Sequence, residues 1–189
     1  MNMSKTITII GAGMMGSALA FPAAENGHKV RIVGTCLDDD IIDGYIKTGK
    51  HEKFCRPFPE GVEFVYFKDW KKAVEDADFV IGGVSSFGVD WFLEEILTQL
   101  DPQMPVLSVT KGLMNTEDGT LLTYLDLWQA KLDELGKNIP LNAIGGPCTS
   151  YELVFHDQTE VAFCGENIET LEFLRSIMQT DYYHISITT

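Results

Sequence analysis

Gly11-Ala12-Gly13-Met14-Met15-Gly16 is the run whose residue types and spacing carry the most chemistry. Glycines at this spacing suit a backbone turn that holds a pyrophosphate. Gly11 permits a tight bend, Gly13 leaves no side chain in the path of the phosphates, and Gly16 lets the following helix lie close on its strand. The unpaired N–H groups at the start of that helix then face the anion. Three further segments could contribute. Gly82-Gly83-Val84-Ser85-Ser86-Phe87-Gly88 presents two hydroxyls, and reads either as a ligand-facing loop or as a turn with Ser86 capping a helix. Ser108-Val109-Thr110-Lys111-Gly112-Leu113 delivers a lysine straight from an expected strand end, where its ammonium could hold a carbonyl oxygen or a phosphate, or simply be solvated. Gly145-Gly146-Pro147-Cys148-Thr149-Ser150-Tyr151-Glu152 is a second glycine-rich turn able to offer backbone N–H groups to an anion. Cys148 has no histidine near it in sequence, so a small filler at a tight turn is favoured over a nucleophile.

The elements that must position these residues alternate between strand-like and helix-like patterns. A β-branched run over 6–10, the glycine turn, a helical stretch to Asn26-Gly27 and a second β-rich run over 29–33 supply the context in which a GxGxxG spacing is informative. Further strands are expected at 62–67, 78–84, 105–109, 141–144, 161–164 and 182–187. The alternation predicts an α/β fold, a Rossmann-like doubly wound, mostly parallel sheet with helices on both faces. Ligands in such sheets bind at the carboxyl ends of strands, which is where the four segments fall. Val89, Phe92, Ile96 and Leu100 share one helical face; so do Leu121, Leu125, Trp128, Leu132 and Leu135, and then Leu171, Leu174 and Met178. These stripes read as core. Asp69 and Asn167 are expected N-caps, and Pro22 is expected to kink the first helix or mark a poorly packed turn.

The segment 35–61 is the least regular. Asp38-Asp39-Asp40 suits the start of a short helix through Ile41, Ile42, Tyr45 and Ile46, with the acids near its positive end. The alternative to that capping role is that one of these acids reaches an adenosine ribose, since an acid about twenty residues beyond the glycines is the usual ribose partner. Here Gly34-Thr35-Cys36 follows the second strand, so no acid stands where it normally would. Arg31, inside that strand, is a poor clamp for a 2′-phosphate.

Composition narrows the partners. The 189 residues are 45% hydrophobic, enough for a full core, and no Pro-, Gly- and Ser-rich linker divides them, so one domain is expected. Lys and Arg number 14 against 28 Asp and Glu, a net charge of −14, which disfavours nucleic acid and anionic membranes. Cys36, Cys55, Cys148 and Cys164 are widely spaced with no CxxC pair, which argues against a metal site and fits reduced thiols in a cytoplasm. No apolar run approaches the eighteen or so residues of a membrane span, and no leader-like segment precedes the first strand, so a cytoplasmic protein is expected.

The glycine run, together with Asn26-Gly27-His28-Lys29-Val30, Ala77-Asp78-Phe79-Val80-Ile81, Ser108-Val109-Thr110-Lys111-Gly112-Leu113 and Gly146-Pro147-Cys148-Thr149-Ser150-Tyr151-Glu152-Leu153, carries a family likeness. The chain resembles the N-terminal, cofactor-binding domain of NAD(P)-dependent glycerol-3-phosphate dehydrogenase. The glycine run is common to many dehydrogenases; the lysine-bearing run and the later Gly-Pro…Glu segment, in this order, are more specific. The resemblance implies hydride transfer between a nicotinamide and glycerol 3-phosphate or dihydroxyacetone phosphate. It implies that Lys111 contacts the substrate and helps set the reacting centre, with Gly146 and Cys148 on the substrate side. Gly11, Gly13, Met14, Met15, Gly16, Thr35, Ser85 and Ser150 would then face the cofactor. NAD is favoured over NADP, because Asp38, Asp39 and Asp40 lie near the adenosine end and no Arg or Lys stands between Gly34 and Asp40. The family's Val-Pro-Ser and Gly-Pro-Ser runs are here Val84-Ser85-Ser86 and Gly146-Pro147-Cys148. The resemblance further implies that residues 1–189 form the dinucleotide-binding domain, that a helical C-terminal substrate domain is missing from this chain, and that the complete protein forms a homodimer. On that view the chain alone is inactive. The rivals are the cofactor domain of another reductase, such as a ketopantoate reductase, and a stand-alone NAD(H)-sensing module.

Overall fold

Short runs of β-branched residues form the centre of the molecule, in a computed structural model that describes residues 3–189. The strands are β1 (Thr6–Ile10), β2 (Lys29–Val33), β3 (Val62–Val65), β4 (Phe79–Gly82), β5 (Val106–Ser108), β6 (Leu113–Asn115), β7 (Leu121–Thr123), β8 (Leu141–Gly145), β9 (Thr159–Gly165) and β10 (Tyr183–Thr188). Eight of them make one sheet in the order β10-β9-β8-β5-β4-β1-β2-β3, while β6 and β7 pair as a separate antiparallel hairpin. Six neighbouring pairs are parallel, and β8 with β9 is the antiparallel one. Ile7, Ile9 and Ile10 of β1 have no exposed surface, as expected of a central parallel strand covered on both faces.

The helices are α1 (Met14–Glu25), α2 (Asp39–Thr48), α3 (Trp70–Val74), α4 (Val89–Glu95), α5 (Tyr124–Glu134), α6 (Ser150–Phe155) and α7 (Ile168–Met178). Two apolar clusters place them. Residues of α1, α2, α6 and α7 pack with Phe79, Val161 and Phe163. Residues of α3, α4 and α5 pack with Val33, Val80 and Val106 in the other. The chain winds outward from β1 through β2 to β3, then returns to β4 and winds the other way. The switch between β1 and β4 leaves a crevice above their carboxyl ends, and the glycine turn borders it.

Several expected boundaries shift. The third strand stops at Val65, because Phe67–Asp69 closes as a 3-10 turn before α3. Asp69 precedes α3 but its side chain makes no capping bond, whereas Asn167 Oδ1 accepts from Thr170 N–H at 2.9 Å. Leu121 belongs to the β6–β7 hairpin, not to a helix, and Leu135 lies past the end of α5 with 49% of its surface exposed. Ile96 and Leu100 fall beyond α4 yet are buried, carried there by the 3-10 turn Leu97–Gln99. Pro22 neither ends α1 nor loosens it: the helix runs on to Glu25, and every residue from Gly16 to Ala24 is buried. A helix apolar on all sides fits this position, packed on β1 and β2 and against α6 and α7.

Candidate functional site

The glycine turn is built by close contact. Gly11 has φ +114°, and a Cβ there would stand 2.7 Å from the Gly83 carbonyl oxygen. A Cβ on Gly16 would stand 2.3 Å from the Gly11 carbonyl oxygen. A Cβ on Gly13 would meet nothing within 4 Å. Two of the glycines are therefore required by the protein's own packing, and the third faces open space. No acidic residue lies in the first turn of α1 and no side chain caps it. Ser17 N–H, donating to Gly13 C=O at 2.9 Å, starts the helical ladder, so the N–H groups of Met14, Met15 and Gly16 have no partner within the helix. An open cradle of N–H groups at a helix start with no acid in its first turn fits a dinucleotide pyrophosphate. Met14 and Met15 are half-buried beside it.

At the end of β2, the expected absence of an acid is repaired by the chain's path. Thr35 donates to the Asp38 Oδ2 oxygen through both its N–H and its hydroxyl, each at 2.8 Å. The same oxygen lies 3.4 Å from Ala12 N. A tight turn thus folds Asp38 back beside the glycine turn, so its role is not that of a helix cap: α2 has no side-chain cap. Arg31 is engaged elsewhere, with Asp76, Glu63 and the Ala73 carbonyl, and its guanidinium holds the Asp76 carboxyl below the usual range.

The other strand ends converge. Lys111 Nζ donates to the Gly146 carbonyl oxygen, joining the lysine-bearing segment to the second glycine-rich turn. Thr110 Oγ1 donates to Val84 C=O at 2.6 Å, tying the same segment to the exposed Ser85 loop. Ser86 begins the 3-10 turn Ser86–Gly88, and no side chain caps it. Ser150 opens α6 and is 9% exposed. Cys148 is buried, its thiol pushed up by that burial and its Sγ near the Thr149 carbonyl oxygen at 3.5 Å, which suits a filler.

Two cavities adjoin these segments. One of about 680 Å³ opens beside Gly13 and Met14 and is walled by Ile41, Tyr45, Lys50 and Lys53. The other, of about 650 Å³, lies against Lys111 and Gly145 and extends past Tyr124 to Glu166. Sequence reasoning set Asp38 near the adenosine end but missed its contact with Ala12 of the glycine turn, and it read Tyr45 only as part of an apolar face. The Thr35-x-x-Asp38 spacing, which suits a side-chain-closed turn, was the available signal for the first. Among the described residues no group of three or more His, Cys, Asp or Glu could hold a metal ion, and no helix is long and apolar enough to cross a membrane.

The strand order, the switch point and the open glycine turn define an α/β domain of the dinucleotide-binding class. Comparison with known proteins narrows this. The family model for the N-terminus of NAD-dependent glycerol-3-phosphate dehydrogenase matches residues 6–171, and the chain belongs to that family. It is 32% identical over 183 residues to an NADP(+)-dependent glycerol-3-phosphate dehydrogenase of Archaeoglobus fulgidus, covering 97% of this chain and 53% of that protein. It is 23% identical over 183 residues to a glycerol-3-phosphate dehydrogenase [NAD(P)+] of Clostridium botulinum, covering 97% and 52%. The crystal structure of glycerol-3-phosphate dehydrogenase from Coxiella burnetii superposes with a TM-score of 0.83 at 24% identity, over 98% of this chain and 54% of that one. The chain thus spans about half the length of the curated relatives it matches. The names of these relatives cover both NAD and NADP.

Proposed function

We propose that residues 1–189 are the cofactor-holding domain of an enzyme interconverting glycerol 3-phosphate and dihydroxyacetone phosphate. Gly11, Gly13 and Gly16 shape the pyrophosphate cradle, and Met14 and Met15 present N–H groups and cover it. Thr35, Ser85 and Ser150 line the remaining cofactor path. Lys111, with Gly146 and Cys148 beside it, forms the substrate wall. The observation that carries this reading is the contact of Lys111 with Gly146 C=O, at the same end of the sheet as the open glycine turn. A bound nicotinamide would supply or accept the hydride. Lys111 would stabilise charge on the C2 oxygen or hold the phosphate. The group that moves the hydroxyl proton would come from a second, helical domain of the longer protein.

We read the cofactor as NAD rather than NADP. Asp38 stands beside Ala12 N–H, where it can accept from a ribose hydroxyl and repel a 2′-phosphate, at about 1.4 kcal/mol or a factor of ten. Lys50 and Lys53 on the neighbouring cavity wall are the cations that would reverse this. We further place the protein in the cytoplasm, as a homodimer in its complete form, with no nucleic-acid partner. The test of function is NADH oxidation by the intact gene product. Turnover is expected with dihydroxyacetone phosphate and not with ketopantoate, and Lys111→Ala should remove it while leaving NADH affinity nearly unchanged. The 189-residue chain should bind NADH without turnover. Full activity of Lys111→Ala, or turnover by the 189-residue chain, contradicts the assignment, and tighter binding of NADPH than NADH reverses the cofactor choice.

A further inference from the structure

Ala12 sits between two glycines, so the peptide planes on either side of it have little steric preference of their own. Its carbonyl oxygen nevertheless has two hydroxyls on it. Tyr45 OH donates to it at 2.7 Å and Ser17 Oγ lies 3.1 Å away, with the two hydroxyls 2.9 Å from each other. All three residues are buried: Ala12 and Ser17 have no exposed surface and Tyr45 has 2%. The Ala12 carbonyl shares a planar trans peptide with the Gly13 N–H, so the two point in opposite directions. Pulling the carbonyl inward toward Tyr45 turns the Gly13 N–H away from Tyr45, and Gly13 itself is exposed. The opposite flip would aim a carbonyl dipole at the phosphates and leave an N–H facing two hydroxyls.

Resting on the dinucleotide reading above, we propose that Tyr45 is a positioning residue that sets the Ala12–Gly13 peptide so that its N–H faces the pyrophosphate. The ring is fixed for this task by aromatic neighbours. Its centroid lies 5.1 Å from that of Phe58, 5.3 Å from Phe64 and 5.5 Å from His51. Burial, with Asp38 nearby, pushes the phenol up to about 12, so the hydroxyl keeps its proton and remains a donor at physiological pH. No residue of the glycine turn itself does this, because the acceptor is main chain and both donors, Tyr45 of α2 and Ser17 of α1, lie outside the turn.

The test is calorimetric titration of the 189-residue chain and its Tyr45→Phe variant with NADH and with ADP-ribose, and NMR titration of both proteins with adenosine. Phenylalanine keeps the aromatic packing and removes one donor. NADH and ADP-ribose are expected to weaken together by about three- to tenfold, as for loss of one buried hydrogen bond, while adenosine, which has no phosphate, shifts the same resonances with unchanged affinity. Equal NADH affinity in Tyr45→Phe overturns the inference, and so does an equal loss for adenosine, which would mean general distortion. Absence of NADH binding by the unaltered chain overturns the dinucleotide reading itself. Should Tyr45→Phe fail to fold, Ser17→Ala removes the other hydroxyl, and the same ligand pattern is expected from it.

Discussion

The turn at 11–16 and the turn at 145–150 are both glycine-rich passages from strand to helix, and they differ in what closes them. At the first, α1 begins with no acidic residue in its opening turn and no capping side chain, and the face at Gly13 is open. At the second, Thr149 and Glu152 form a reciprocal capping box: the Glu152 carboxylate accepts Thr149 N–H and the Thr149 hydroxyl accepts Glu152 N–H. The second turn was expected to offer N–H groups to an anion, but its own side chains already take two of them and place a negative charge there. What it offers instead is the Gly146 carbonyl, held against Lys111. Gly146 has φ +124°, and a Cβ there would stand 3.2 Å from Val161 Cα, so this glycine serves close approach to β9. Glycine content alone thus does not mark an anion site; the capping residues at the start of the next helix decide.

The largest expected effect comes from Gly16→Val. Its Cβ would collide with the Gly11 carbonyl oxygen, an atom that cannot move without breaking the turn. A loss of about 3 kcal/mol or more is expected in urea unfolding, with failure to fold as the extreme. Gly13→Val separates binding from folding at the same turn. Nothing in the protein obstructs the new side chain, so the urea midpoint should hardly change, while NADH affinity should fall by about a hundredfold, near 2.7 kcal/mol. If both variants lose stability equally, the division of the three glycines into packing and ligand roles is wrong.

Thr149→Ala probes the other turn. It removes the acceptor for Glu152 N–H while leaving the bond from the residue 149 N–H to the Glu152 carboxylate, and should cost about 1 kcal/mol of stability. NADH affinity should stay within about twofold, since the capping box already takes two of this turn's N–H groups and sets a carboxylate beside the rest. A large loss of affinity at constant stability would make the two turns functionally alike.

The smallest effect is a pH dependence. His28 and His51 are both held below the usual imidazole value, chiefly by burial. Below the unfolded value of 6.5 the unfolded chain takes up protons that the folded chain resists. The stability they contribute is complete above that value and is lost as pH falls through it toward the folded values. His51 stacks on Phe54 with centroids 4.1 Å apart, on the cavity wall beside the first turn. Urea midpoints measured downward from neutral pH should fall, and His51→Phe should flatten part of that fall.

The first turn was legible in the sequence because its glycine spacing is local: Gly16 answers to the nearby Gly11 carbonyl and Gly13 to open space, whereas the close approach of Gly11 to Gly83 exists only in the assembled sheet. The eight sheet strands were legible for the same reason, through short apolar runs, and their ends shifted where a 3-10 turn competed, as after Val65. The β6–β7 hairpin was missed although Asp118-Gly119 is a turn signal, because Leu121 also continued the apolar stripe of α5. The capping box at Thr149-Ser150-Tyr151-Glu152 was readable and was passed over in favour of the glycines before it. The contacts of Tyr45 with Ala12, of Asp38 with Ala12 and of Lys111 with Gly146 span 33, 26 and 35 residues. Apart from the Thr35-x-x-Asp38 turn, no local pattern encodes them, so they appear only once the sheet is assembled.

Calorimetric titration of NADH into the 189-residue chain and, in parallel, into Gly13→Val addresses the first turn most directly. Saturable binding at one site in the unaltered chain, and its collapse in a Gly13→Val protein with an unchanged urea midpoint, is the expected result. No heat from the folded unaltered chain, or equal affinity in Gly13→Val, would contradict the assignment of the open turn at 11–16 as the dinucleotide site.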